Sequence, residues 1–352
     1  MMAADGLVVR IRPREGRLTR TQALGLCDLA ETHASGAIAL TNRANVQLRS
    51  VQPAAHEAVL EALVRLDLLD PNASLEARRN ILVEPFWTVG DQTKRIAQCL
   101  AALLPDLPEL PAKIGFAVDA GPAPLLTDAS ADIRIERTGQ GLVLRADGAP
   151  TGCAVTEAAL PEAILALTIW LAAHITPNQR RMALLAPQLP GHWLGTAPNP
   201  AGPQPVLGLH PQGTLVAAAF GDLPAKILRA ALEDATALRI TPWRQILLEG
   251  TTTLPTAPGL ITDPTDPFLR VDACPGAPHC SSATVETRTL ARALAPRSTG
   301  TLHISGCAKG CARARPADRT LVGDEGHFDV VETGAAWDAP RQTGLTAAQL
   351  LD

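Results

Sequence analysis

The sequence predicts an α+β protein built on an internal duplication, and three observations carry that prediction. The first is a strand–helix–strand–strand pattern that occurs twice. One copy runs from Leu7 (LVVRIRP) through a helical stretch over 19–33 to AIALTNRANVQLRSV. The other runs from Val206 (VLGLHPQG) through a helix over 223–235 to LRITPWRQILLEG. In both, an alternating strand meets a proline, Pro13 or Pro211, and two short strands flank a threonine, Thr41 or Thr241. Such a duplicate reads as two ferredoxin-like half-units paired about a pseudo-twofold axis. The second observation is that a longer α/β segment follows each copy. The third is that four of the seven cysteines crowd into the last of these segments.

The elements follow in order. Alternation in Val8-Val9-Arg10-Ile11-Arg12 puts both arginines on one face and Val9 and Ile11 on the other. After the first copy come the strand RRNILVEP, an amphipathic helix over 91–104, a proline-rich connector and LPAKIGFAVDAG. DIRIE and GLVLRA then flank a turn at 138–141 as a hairpin, and a helix is expected over 155–174. The stretch 186–205 reads as a linker with HWLG packed inside it. After the second copy the cysteine segment ends in the strands TLVG and HFDVV, with a loose tail after Glu332. The expected organisation is half-unit 1–70, α/β domain 71–185, linker and second half-unit 186–250, cysteine domain 251–335 and tail 336–352.

Composition narrows the function classes. A chain of 352 residues holds two or three domains with real cores, and 19% charged residues with net charge −4 exclude a disordered chain or a general nucleic-acid binder. The charged start MMAADGLVVRIRPREGR is unlike a secretory signal, and the apolar run 163–175 is too short to span a bilayer. No membrane or nucleic-acid partner is expected. An odd number of cysteines, with Cys27, Cys99 and Cys153 scattered, suits a reducing, cytoplasmic setting. Only four of the 31 basic residues are lysines; GC-rich coding explains the total, so function is reserved for particular arginines. No G-x-G-x-x-G follows a strand, no Walker-type loop occurs, and the eight histidines form no readable metal-binding set.

Cys274 and Cys280 lie six residues apart, Cys307 and Cys311 four. Four thiolates can hold zinc or an iron–sulfur cluster, or stay uncoordinated. The five residues inside the first pair argue mildly against structural zinc, and Gly276, Gly306 and Gly310 let backbone approach inorganic sulfide. Iron–sulfur is the favoured reading among the three.

C-x5-C, a spacer and then (S/T)-G-C-x-x-G-C resembles the cluster motif of the sulfite and nitrite reductase superfamily. The form here, ACPGAPHC and HISGCAKGCARA, looks most like that of the precorrin-3B synthases. The order of segments also matches the reductases. The resemblance therefore implies duplicated ferredoxin-like half-units alternating with two sulfite/nitrite-reductase-type α/β domains. It also implies a [4Fe–4S] cluster on Cys274, Cys280, Cys307 and Cys311, the last facing sirohaem iron in the reductases. TNRANVQLR resembles the T-T-R-Q motif, which assigns Arg43 to a tetrapyrrole or its bound anion; the bland alternative is a solvated loop arginine. Arg79 in RRNI resembles the R-N element that reaches the same site, with Arg78 as its surface neighbour. Lys113 falls on the first lysine of L-P-x-K-F-K, but Gly115 replaces the second. That lysine pair serves sulfite and nitrite reduction, so its loss counts against those reactions. Trp243 and Arg244 occupy the second copy's arginine loop and suit a flat, carboxylate-fringed ring. Lys309 and Arg313 could neutralise a cluster or hold a carboxylate, Arg315 faces solvent, and His279 and His303 read as structural.

The resemblance implies O2-dependent hydroxylation of precorrin-3A at C20, with the ring A acetate closing to a γ-lactone, in aerobic cobalamin biosynthesis. The arginines and lysines named would hold substrate carboxylates, an external electron donor would serve the cluster, and a mononuclear non-haem iron associated with the family has no ligands nameable from sequence. No catalytic residue is named. One alternative is a ferredoxin-dependent sulfite or nitrite reductase with sirohaem. Another is a non-catalytic electron carrier or tetrapyrrole-binding protein, which would have no need of duplicated arginine-bearing half-units. The internal pseudo-twofold permits a monomer.

Overall fold

The computed structural model describes residues 2–352, and their strands form four five-stranded sheets. The first half-unit's sheet runs Met2–Ala3, Gly6–Ile11, Val46–Val51, Ala37–Leu40 and then Asp222–Pro224, all antiparallel. The second runs Gly208–His210, Gly213–Ala217, Gln245–Glu249, Ala237–Ile240 and then Arg17–Thr19. Each half-unit thus lends a three-residue strand to the edge of the other's sheet, where it satisfies backbone groups that an edge leaves open. A single 3-10 turn precedes each exchanged strand. Glu15 and Phe220 take φ 56° and 61° there, and Gly16 and Gly221 follow at 69° and 68°.

The exchange joins two cores into one. Leu26, Ala30 and Leu48 of the first half-unit pack in the same apolar cluster as Leu228, Leu238 and Leu248 of the second. The helices Arg20–His33 and Ala225–Ala231 touch across it. Thr19 caps the first helix reciprocally with Gln22, which fixes its start one residue after the exchanged strand. The second helix is shorter than the expected 223–235, because Asp222–Pro224 is spent on the exchange.

The repeat register read from the prolines needs correcting. Pro211 lies in the turn of the hairpin Gly208–His210/Gly213–Ala217, whereas Pro13 follows the strand Gly6–Ile11. Equivalent pairs are Ile11 with Val46 and Val216 with Ile246. Arg10 and Arg12 therefore correspond to Leu215 and Ala217, and only the first half-unit carries charge on that strand.

The α/β domain's sheet runs Cys153–Val155, Gly141–Ala146, Ile133–Thr138, Phe116–Asp119 and Ile81–Val83. Its last three strands are parallel and the expected hairpin is present. The helices Gln92–Leu103, capped by Asp91, and Leu160–His174 pack against each other and the sheet. The second starts later than expected because Cys153–Val155 is strand. Trp193 and Leu189 of the linker join this core, whereas His192, Leu194 and Gly195 stay exposed, so of HWLG only the tryptophan is packed. Among the described residues no helix is long and apolar enough to cross a membrane.

The cysteine domain's sheet runs Val271–Ala273, Leu302–Ser305, Ala317–Asp324, His327–Gly334 and Gln342–Leu345. The loose tail expected for 336–352 is not found. The strand there reaches Gly334, Gln342–Leu345 adds the fifth strand, and the helix Ala347–Leu351 packs on Arg288–Leu294. Burial is the cause: Ala335 and Ala336 are buried, and Leu345, Leu350 and Leu351 pack against the domain core.

Arg239 ties the second half-unit to the α/β domain. It donates to the carbonyls of Pro85 and Trp87, pairs with Glu249, and stacks 3.8 Å over the Trp87 ring. Beside it Glu84 is buried, and burial pushes its carboxyl up to about 7, with Asp119 and Asp91 adding to the effect and the Phe86 N–H opposing it. Between the ordinary glutamate value of about 4.3 and this raised one, the folded chain holds a proton that the unfolded chain releases. Stability therefore falls as pH rises through that window and stays lower above it. Glu84→Gln should raise unfolding stability by about 2–3 kcal/mol at pH 8 and leave it unchanged near pH 4. Urea titrations at the two pH values check this, and an equal gain at both would contradict it.

Candidate functional site

Two groups of side chains carry chemistry, and the first is a knot of arginines. In the 41–45 loop the Thr41 hydroxyl accepts from the N–H groups of Arg43 and Asn45 at 3.3 and 3.1 Å, and Ala44 takes φ 50°. The bend sends Arg43 across to the α/β domain, where it donates to the Lys113 carbonyl at 3.2 Å and the Ser130 hydroxyl at 3.3 Å. Arg181 reaches the same hydroxyl at 3.5 Å and pairs with Asp132 at 2.8 Å. Arg12 donates to Glu76 and Asn80. Arg79 donates to Glu76 and to the Arg12 carbonyl, both at 2.6 Å. The Asn80 amide in turn holds the carbonyls of Ala112 and Ile114, which frames the exposed Lys113.

Counter-charge is short here. Burial, then Arg181, lowers the pKa of Arg43, with Arg10 and Arg12 adding to the effect and Asp132 opposing it. Arg10 keeps an accessible guanidinium, yet the crowding protein, and then Arg12, lower its pKa too. Partly desolvated guanidiniums among like charges are stabilised by an arriving anion, above all by a carboxylate that matches their fork.

Arg43 reaches the backbone carbonyl of Lys113, whose side chain makes no contact with the arginines described above. Arg79 does not stand free: it is buried and spent on Glu76 and Arg12, so it positions Arg12. Arg78 is half-buried, donating to the carbonyls of Leu107 and Pro108, rather than a surface neighbour. Arg10, Arg12, Arg181 and Ser130 were not assigned from sequence. The alternation around Arg10 and Arg12 was the available signal for two of them; Arg181 comes from a distant loop and gave none. Gly115 is buried, its N–H donates to Asp132, and a Cβ there would lie 3.3 Å from the Asn80 carbonyl oxygen. The missing second lysine is thus built into the packing.

The second group is the cysteine loops. Val271–Ala273 and Leu302–Ser305 are neighbouring parallel strands, and Cys274 and Gly306-Cys307 leave their adjacent ends. The Gly306 N–H donates to the Cys274 sulfur at 3.2 Å. A Cβ on Gly306 would lie 2.5 Å from that of Ala283, so the loops close only over glycine. Burial pushes the Cys311 thiol up, and Cys307, Cys274 and Cys280 push it further. Among the described residues no three His, Cys, Asp or Glu side chains gather tightly enough to hold a single ion. Four thiols on two neighbouring loops, with glycine at their approaches, are the kind of donor set an iron–sulfur cluster takes. Cys27 is a core residue whose thiol is pushed up to about 12, chiefly by burial.

Both half-units dock on these loops. Arg49 donates to the His279 carbonyl at 3.4 Å, and Asp5 meets the His279 ring at 2.9 Å. Arg244, at φ 59°, pairs with Asp272 at 3.0 Å and donates to the Ala312 carbonyl, while Arg313 takes the other Asp272 oxygen. Lys309 donates to Ser282. Arg244 and Lys309 thus belong to the cysteine loops rather than to the arginine knot, and Trp243 packs against the shared half-unit core. His303 is fully buried with neither ring nitrogen partnered, and burial lowers its pKa to about 4, so it is neutral at pH 7.

Two mutually exchanged half-units, an arginine knot between them and an α/β domain, and a four-cysteine domain together define the sulfite/nitrite-reductase type of fold. Residues 2–66 match the nitrite/sulfite reductase ferredoxin-like half domain. The structure of the Mycobacterium tuberculosis NirA protein superposes with a TM-score of 0.68 over 98% of this chain and 78% of the other, at 21% identity. In sequence, the chain is similar to the precorrin-3B synthase of a Sinorhizobium species, at 27% identity over 97% of this chain and 82% of that protein.

Glu76 is the hub of the knot, since it carries both Arg12 and Arg79. Glu76→Ala should cost about 3 kcal/mol of stability, because it leaves buried guanidinium uncompensated. Chemical denaturation measures it, and a loss under about 0.5 kcal/mol would mean the hub is an ordinary surface pair.

Proposed function

We propose that the protein is a precorrin-3B synthase, an oxidoreductase that adds one oxygen atom from O2 to C20 of precorrin-3A while the ring A acetate closes to the γ-lactone. The observation that carries this is the similarity to a precorrin-3B synthase over 97% of this chain, and a packed glycine where the reductases need a lysine supports it. Arg10, Arg12 and Arg43 would hold carboxylates at the rim of the macrocycle, with Lys113 beside them. Arg79, Glu76 and Ser130 would keep those guanidiniums in place. Arg244 would lock the second half-unit to the cysteine loops through Asp272.

Cys274, Cys280, Cys307 and Cys311 would hold a [4Fe–4S] cluster, which supplies one-electron transfer from an external donor. Lys309, between Cys307 and Cys311, would offset its negative charge. Cys307→Ser should lose iron and sulfide together and lower soluble yield, since the cluster would also staple two loops of the domain. Metal and acid-labile sulfide analysis reads this; a full complement in the variant would remove Cys307 from the ligand set.

The shared fold also admits a sirohaem-dependent sulfite or nitrite reductase, and two assays separate the readings. Anaerobically purified protein given precorrin-3A, a reductant and O2 should yield a product heavier by one oxygen atom. Sulfite and nitrite should go unconsumed under reducing conditions even with sirohaem supplied, because position 115 offers no ammonium group. Consumption of either anion without turnover of precorrin-3A would overturn the proposal.

A further inference from the structure

Trp337 is 56% exposed, and its place is set by neighbours rather than left to solvent. The Ala335 N–H donates to the Asp338 carboxylate at 2.7 Å and the Asp338 N–H to the Ala335 carbonyl at 3.1 Å, which closes a tight turn with the indole at its crest. Ala335 and Ala336 anchor the turn from below by burial. The indole rests against Gly310, between Cys307 and Cys311. A Cβ on Gly310 would lie 3.1 Å from the ring and 3.2 Å from Ala336, and Gly310 holds φ 60°. The motif glycine therefore leaves the room in which the ring sits. Cys311, the next residue, is itself exposed.

A large aromatic surface costs free energy when left in water, and an indole held by a closed turn loses little entropy when a flat ring covers it. Asp338, the acid of the turn itself, is taken up by the Ala335 N–H, so the charge of the adjoining cysteine loop selects which flat ring. From Cys307 to Pro316 the chain carries Lys309, Arg313 and Arg315 and no acid. Arg313 is committed to Asp272, Lys309 is exposed while donating to Ser282, and Arg315 is exposed. An aromatic face beside exposed cations suits a conjugated ring with carboxylates at its edge.

We infer that Trp337 is the aromatic contact on which a flat, polycarboxylated tetrapyrrole lies beside Cys311, and so a binding residue for the substrate. This rests on the tetrapyrrole reading above, and the experiment is arranged to part the two. Full-length, cluster-loaded protein is titrated with uroporphyrin as a stable probe, and KM and kcat are measured with precorrin-3A. Trp337→Phe should stay within about threefold of the parent in both affinity and KM. Trp337→Ala should weaken uroporphyrin binding and raise KM about tenfold, a loss on the scale of one aromatic stack. Iron and sulfide content should match the parent in both variants. If the parent binds uroporphyrin or precorrin-3A and Trp337→Ala binds equally well, the assignment of Trp337 is overturned alone. A variant with unchanged affinity that needs more of a protein electron donor overturns it too, and makes the indole a docking point for that donor. A parent protein that binds neither tetrapyrrole overturns the functional reading and this inference with it.

Discussion

The pairing of Asp222–Pro224 with Ala37–Leu40, and of Arg17–Thr19 with Ala237–Ile240, is the constraint on which the rest depends. Two half-unit sheets that each end in a strand of the other cannot slide or separate without breaking backbone hydrogen bonds at both edges. The shared core then fixes the angle between the halves, and through it the positions of the two arginine-bearing loops. The α/β domain and the cysteine domain each dock on that frame by a few buried contacts. Arg239 over Trp87 serves the first, and Arg244 on Asp272 the second.

Duplication gave the frame its symmetry, and the site departs from it. On equivalent strands the first half-unit carries Arg10 and Arg12 where the second carries Leu215 and Ala217. In the equivalent loops Arg43 faces the α/β domain, whereas Arg244 faces the cysteine loops. The same loop position thus joins a different domain to the frame in each half-unit.

Much of this was legible in the sequence because it is local. The duplication, the hairpin about 138–141, the main helices and the two cysteine pairs all follow from short-range patterns. The strand exchange was not, since three-residue strands carry almost no periodic signal and their partners lie about 200 residues away. The proline landmarks misled for the same reason: a proline marks a turn, but not which turn of a hairpin it belongs to. The segment after Glu332 looked loose because its apolar residues are sparse. Its burial depends on a sheet edge that only the folded domain supplies. For the site, motif resemblance brought out Arg43 and Lys113, yet chain-distant partners decide what an arginine does. Arg79 has the right motif and is consumed by Glu76 and Arg12.

The two turn glycines ahead of the exchanged strands show how symmetry and tolerance to change part company. A Cβ on Gly16 would meet only the Ile240 carbonyl oxygen, at 3.5 Å, an ordinary contact. On Gly221 it would lie 2.9 Å from the side chain of Arg244. Both positions hold a positive φ that favours glycine, but the second also leaves space for the arginine that reaches Asp272. A substitution at 16 therefore perturbs one turn, whereas at 221 it disturbs two junctions, the strand exchange and the seat of the cysteine domain. Equivalent turns thus differ in what they tolerate, and the second has the less room for a side chain.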